Sequence, residues 1–112
     1  MIVVLARDLI ITSRIAEVAA HAGRTLLRID DPAELPEPDG VELAFVDWAD
    51  RQPSWPATLR EWLHRASRAH RPRLVLFGPH TDLEAHQAAR AAGLGPMMAR
   101  SRLVSGLPEL VG

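Results

Sequence analysis

The 112-residue sequence contains no cysteine and no lysine. The first absence excludes a disulfide framework and any cysteine-ligated metal centre. The second removes every mechanism built on a deprotonated amine, from Schiff-base formation to a P-loop lysine, because all 13 basic residues are arginine. Long apolar runs are missing too. No stretch approaches the roughly eighteen apolar residues of a membrane helix, and the apolar residues 2–6 meet Arg7 and Asp8 too soon to form a signal-peptide core. No membrane association is expected, and a cytoplasmic location is. An excess of either charge is also lacking: 13 basic against 14 acidic residues leave a formal −1. Bulk nucleic-acid binding draws on a cationic excess that releases counterions, so this balance makes a nucleic-acid partner unexpected.

What is present is an alternation of two kinds of segment within 47% hydrophobic residues, at a length suited to one domain, residues 1–112. Residues 2–6 read as a fully buried strand and lead into a helix in which Ile11, Ile15, Val18, Ala19 and Ala22 share one face. Gly23 stands where a helix-terminating glycine belongs. Residues 25–29 and 41–46 read as the next two strands, the latter followed at once by Asp47. A helix is expected over residues 57–70, with Pro53 and Pro56 placing its start near Ser54 to Pro56 and Leu59, Trp62, Leu63 and Ala66 inward. Residues 74–77 form a fourth strand, Thr81 with Glu84 a capping box for a helix through Ala92, and Gly93 its stop. Residues 96–99 form a short fifth strand. Residues 101–111 read as a weak helix that Pro108 breaks or kinks.

Strands and helices alternating at this spacing specify βαβ units on a parallel sheet. Right-handed crossovers then favour an α/β, flavodoxin-like, doubly wound fold of five strands in the order 2-1-3-4-5. The second helix is shortened: residues 30–40 contain Pro32, Pro36 and Pro38 and leave room for a turn or two around residues 33–35.

The order of these landmarks resembles the receiver domain of two-component response regulators over essentially the whole chain. The resemblance rests on the first strand and the helix ending Ala22-Gly23, on Phe45-Val46-Asp47-Trp48, and on the block running from Ala91-Ala92-Gly93 to Ala99-Arg100-Ser101. It implies phosphoryl transfer from a histidine kinase to the aspartate closing strand three, with magnesium, and readout through the fourth helix, fifth strand and fifth helix of the family. Asp47 matches the phosphoacceptor. The acidic pair that holds magnesium is matched by Ala6 and Arg7, with Asp8 displaced by one residue. The phosphoryl-binding Ser/Thr is matched by Gly78, the lysine by Arg100, the following proline by Ser101, and the switch aromatic by Met97. With one class of functional residue kept, the resemblance implies a degenerate receiver, a pseudo-receiver, serving as a signalling or protein-interaction module with neither enzymatic activity nor ordinary aspartyl phosphorylation.

In that reading Asp47 is held in an ion pair by Arg7, Arg100 or both, with a guanidinium in place of the metal. No cofactor is then required. The partner, or a second copy of the chain, is expected to dock through Met97, Ser101, Arg102 and Leu103. Two alternatives stand beside it: a phosphorylatable receiver in which Asp8 replaces the lost acidic pair and binds Mg2+, and a flavodoxin-like small-molecule binder with its ligand at the carboxyl ends of the strands.

Charge is segregated along the chain. Residues 30–50 carry eight acids and no arginine; residues 51–73 carry six arginines against Glu61 alone. Arg60, His64, Arg68 and Arg71 form a basic stripe on the expected third helix, which the acidic stretch is expected to neutralise in part. Trp62 is expected in the core, with Trp48 and Trp55 partly exposed near the functional edge. The five histidines show no metal-binding spacing, and Gly93-Leu94-Gly95 lacks the context of a dinucleotide fingerprint.

Overall fold

The computed structural model describes residues 1–112. Five parallel strands, β1 (Ile2–Leu5), β2 (Leu26–Ile29), β3 (Leu43–Asp47), β4 (Arg73–Gly78) and β5 (Met98–Ala99), lie in the order β2-β1-β3-β4-β5. Between them run the helices α1 (Leu9–His21), α2 (Trp55–His64), α3 (Leu83–Ala91) and α4 (Arg100–Val111). This is the flavodoxin-like arrangement expected from the sequence. β1 and β3 are buried along their whole length, which is why they read as unbroken apolar runs.

Side-chain alternation divides the interior in two. Ile2, Val4, Phe45, Val75 and Phe77 face α1 and α4, where Ile11, Ile15, Leu103, Leu107 and Val111 meet them. Val3, Leu5, Val46 and Leu76 face the other way, onto Trp48, Trp55, Leu59, Trp62, Ala85 and Ala89. All three tryptophans are 4% exposed or less, so the expected partial exposure of Trp48 and Trp55 is corrected: both are core.

The second helix is reduced further than a turn or two of α-helix, to two 3-10 turns at Pro32–Glu34 and Pro38–Gly40. Asp31 and Glu34 close the first of these as a reciprocal capping box. Trp62 Nε1 donates to the Pro36 carbonyl at 2.7 Å, tying the connection to α2.

Four boundaries differ from expectation. α2 starts at Trp55 as the prolines mark, with Pro56 in its first turn, but stops at His64; Arg68 and Arg71 therefore leave the helix and the stripe is cut. The N-cap of α3 is Asp82, accepting from Ala85 N, in place of Thr81. β5 is two residues long, with Pro96 and Met97 outside it. α4 runs through Pro108 to Val111, because Leu103, Leu107 and Val111 are all buried at i, i+4 and i+8 and hold the last turn down. Gly23 and Gly93, at φ 69° and 71°, take the left-handed conformation expected after a helix.

Candidate functional site

In a doubly wound sheet the carboxyl ends of the strands carry the side chains free to do chemistry. Asp47, the last residue of β3, is there. Strand parity turns it to the same side of the sheet as Phe45, toward α1 and α4, and it is 2% exposed. Its Oδ1 accepts from Ala49 N at 3.3 Å, capping the 3-10 turn Trp48–Asp50. Burial pushes its carboxyl above the ordinary aspartate range; Asp50 and Asp8 push the same way, while Arg100 and the Ala49 hydrogen bond pull back less strongly.

Asp8 ends the loop after β1 and is the N-cap of α1, its Oδ1 accepting from Ile10 N at 3.0 Å and Ile11 N at 3.3 Å. Arg100 joins the two acids. Its Nη1 is 3.2 Å from Asp8 Oδ2 and its Nη2 3.3 Å from Asp47 Oδ2. The register explains the reach: Asp47 pairs with Phe77, and Phe77 with Met98, so Arg100 must cross β4 to arrive at β3. It does so over the Phe77 ring, with its guanidinium carbon 6.0 Å from the centroid. Arg100 is also the first residue of α4, where the helix dipole disfavours a cation. Two carboxylates hold it there regardless, and its Nε is buried without a partner.

Arg7 takes no part. It is exposed and in no ion pair, because the turn into α1 directs Asp8 inward and Arg7 outward. The expected lock on Asp47 is therefore Arg100 alone. Gly78 is buried at the end of β4, and a Cβ added there would lie 2.9 Å from Met97 Sδ. The methionine thioether thus fills the space beside this glycine. Met97 is 5% exposed and Leu103 fully buried, so neither belongs to an outer surface; of the expected docking residues only Ser101 and Arg102 are exposed. Both buried residues were misplaced by reading a short strand and a helix start as an edge, when each turns its apolar side chain inward.

The residues do not fit a divalent metal. Such a cation takes about six oxygen ligands, whereas no trio of acidic or imidazole side chains is placed to hold one, and the two nearest carboxylates are bonded to Arg100. A cleft of about 410 Å³ lies farther along the same edge, among Ala49, Arg51, Gln52 and Asp82, and does not reach Asp47. Sequence reasoning missed the apolar rim of this edge: Leu9 is 68%, Ile10 74% and Leu83 71% exposed, all in the first turn of a helix. The signal was available, since none of the three falls on the inward face of its helix. Comparison with known proteins finds no matching family model, no matching curated protein and no matching solved structure.

Proposed function

We propose that this chain is a receiver-like protein-interaction module in which Asp47 is held by Arg100 and does not undergo ordinary aspartyl phosphorylation. The observation that carries the reading is the bridge itself: one guanidinium bonded to Asp8 and Asp47 occupies the approach to the only buried carboxylate at the strand ends. A nucleophilic Asp47 would need an open line to phosphorus and a cation to neutralise the incoming oxygens. Arg100 supplies fixed charge, and its planar fork is already committed to two acceptors. No catalytic role is assigned to any residue.

The partner surface in this reading is the exposed pair Leu9 and Ile10 on α1, in place of Met97 and Leu103; Leu83 on α3 belongs to the other face of the sheet. Adjacent large apolar side chains exposed in this way are the kind of exposure that marks protein contacts. The partner is a protein, or a second copy of the chain, presenting an apolar patch.

The test is incubation with a small phosphodonor and magnesium followed by intact-mass measurement. The expected spectrum is unchanged. A stoichiometric, acid-stable and base-labile phosphate on Asp47 would overturn the proposal in favour of a phosphorylatable receiver using Asp8.

A further inference from the structure

Helices in a βαβ fold run back against their strands, so the C-termini of α2 and α3 meet at the opposite end of the sheet from Asp47. A cleft of about 350 Å³ opens there between the two helix ends. Arg60 and His64 enter it from α2, Arg71 from the segment leading to β4, and Arg90 from the last turn of α3. Leu63, Ala91, Ala92 and Leu94 supply apolar lining, and no carboxylate lines it.

Two observations show that this charge is not tied up in ion pairs or helix caps inside the molecule. The five ion pairs employ Arg24, Arg28, Arg100 and the N-terminus, and none of Arg60, Arg71 or Arg90. Of the acids of residues 30–50, expected to neutralise the basic stretch in part, Asp39 and Glu42 share a neighbouring cleft with Arg71, and none lines this one. Asp30 pairs with Arg28, Asp31 and Glu34 form a capping box, Asp39 accepts from Ser67 N, and Glu42 pairs with Arg24. Nor are the guanidiniums needed to satisfy the ends of the helices. Ala89 O at the end of α3 already accepts from Leu94 N and Gly95 N, Arg90 O from Gly93 N, and Leu63 O at the end of α2 from Arg65 N and Ala66 N.

Three guanidiniums contribute a charge of +3, against which two helix C-termini set about −0.5 each, leaving about +2 in the cleft. That matches a phosphate monoester dianion or a pyrophosphate. Guanidinium forks suit tetrahedral phosphoryl oxygens, and the apolar lining suits a small organic body. With every tryptophan and phenylalanine buried, no aromatic platform is available for stacking single-stranded nucleic acid. We infer that the cleft formed by Arg60, His64, Arg71 and Arg90 is a binding site for a phosphorylated small molecule. This site is independent of the receiver-like reading, since it shares no residue and no sheet edge with Asp47.

Pyrophosphate serves as the probe, titrated at low salt into uniformly 15N-labelled protein and followed by amide and arginine Nε–Hε shifts. The expected result is saturable shifts at Arg60, Arg71, Arg90, Gly93 and Leu94. Losing two charge-assisted contacts in an Arg71→Gln, Arg90→Gln double variant weakens binding by about tenfold or more. An Arg7→Gln, Arg14→Gln variant, with the same charge loss on exposed residues elsewhere, stays within about twofold, as diffuse screening would not. Absence of saturation, shifts centred on Arg100, or equal weakening in both variants overturns the inference. So does a poly-glutamate peptide or a DNA duplex that binds the cleft more tightly than pyrophosphate at equal salt, because the occupant would then be a macromolecule.

Discussion

Asp47 is a buried acid whose environment favours its protonated form. The folded protein therefore binds this proton more tightly than the unfolded chain, and the contribution of Asp47 to stability is fully present below its unfolded pKa and is lost as pH rises through the higher folded one. At neutral pH the ionised carboxylate is a net burden. Asp47→Asn keeps an acceptor for Ala49 N and removes the buried charge, so its Tm at pH 7 should exceed that of the parent by roughly 4–8 °C for each kcal/mol recovered. The gain should vanish in acid, where the parent is protonated as well; thermal melts across that range check both halves. Arg100→Ala should act oppositely. It leaves Asp47 without its counter-charge and should cost about 1–3 kcal/mol, less than for a wholly buried pair because Arg100 is 42% exposed. If the two act as a pair, the double variant is milder than the sum in a denaturant-unfolding cycle.

At the same scale the two surfaces considered for docking separate cleanly. Met97→Asp places a charge in the core and should unfold a substantial fraction of the protein, so any loss of association it causes carries no information about binding. Ile10→Asp, at a residue 74% exposed, should change stability by no more than about 0.5 kcal/mol. Light scattering on Ile10→Asp is therefore the interpretable test of self-association through the rim, and an unchanged mass in a parent that dimerises would exclude that surface.

Among the elements, α4 shows a balance the sequence alone does not weigh. Pro108 removes a helical N–H and stands in the last turn, yet the helix persists because three buried side chains secure it against the sheet and α1. Pro108→Ala should restore the missing bond and stabilise the protein by up to about 3 kcal/mol, readable as a higher denaturant midpoint with the same slope. Periodicity made the strands, α1 and the sheet order legible, since the alternation of Val3 and Leu5 against Val4 and Ala6 reports two covered faces. It did not reveal that α2 stops at His64, because residues 65–72 keep a helix-like composition and leave the helix where Ser67 N finds Asp39. Nor could spacing show Trp62 reaching Pro36, a side-chain contact across 26 residues that replaces much of what the missing helix would do. In the candidate site Asp47 and Arg100 were legible from their places at strand ends. The rejection of Arg7 was not, since one step along a turn decides which of two adjacent side chains faces in.

For the molecule as a whole, the net charge of −1 conceals two populations. Acids of residues 30–50 are largely used as caps and ion partners. Arginines of residues 51–73 are exposed or nearly so, and none forms an ion pair; Arg51 rests on Trp48, 5.6 Å from the ring centroid. The carboxyl edge of the sheet thus presents two carboxylates bridged by one guanidinium beside exposed apolar side chains, and the opposite edge a cationic cleft that no carboxylate lines. The two proposals thus place different kinds of occupant at opposite edges of the sheet.

The reach of Arg100 across β4 has a bearing on how the chain is made. Asp8 and Asp47 leave the ribosome early, and the guanidinium that bridges them arrives 92 residues after the first. Until it does, the Asp47 carboxylate keeps its water, and burying it at the end of β3 would leave it without its counter-charge. Synthesis of the last helix therefore brings burial of Asp47 against its counter-charge, docking of α4 beside α1, and the joining of the first and last strand-to-helix turns into one late event.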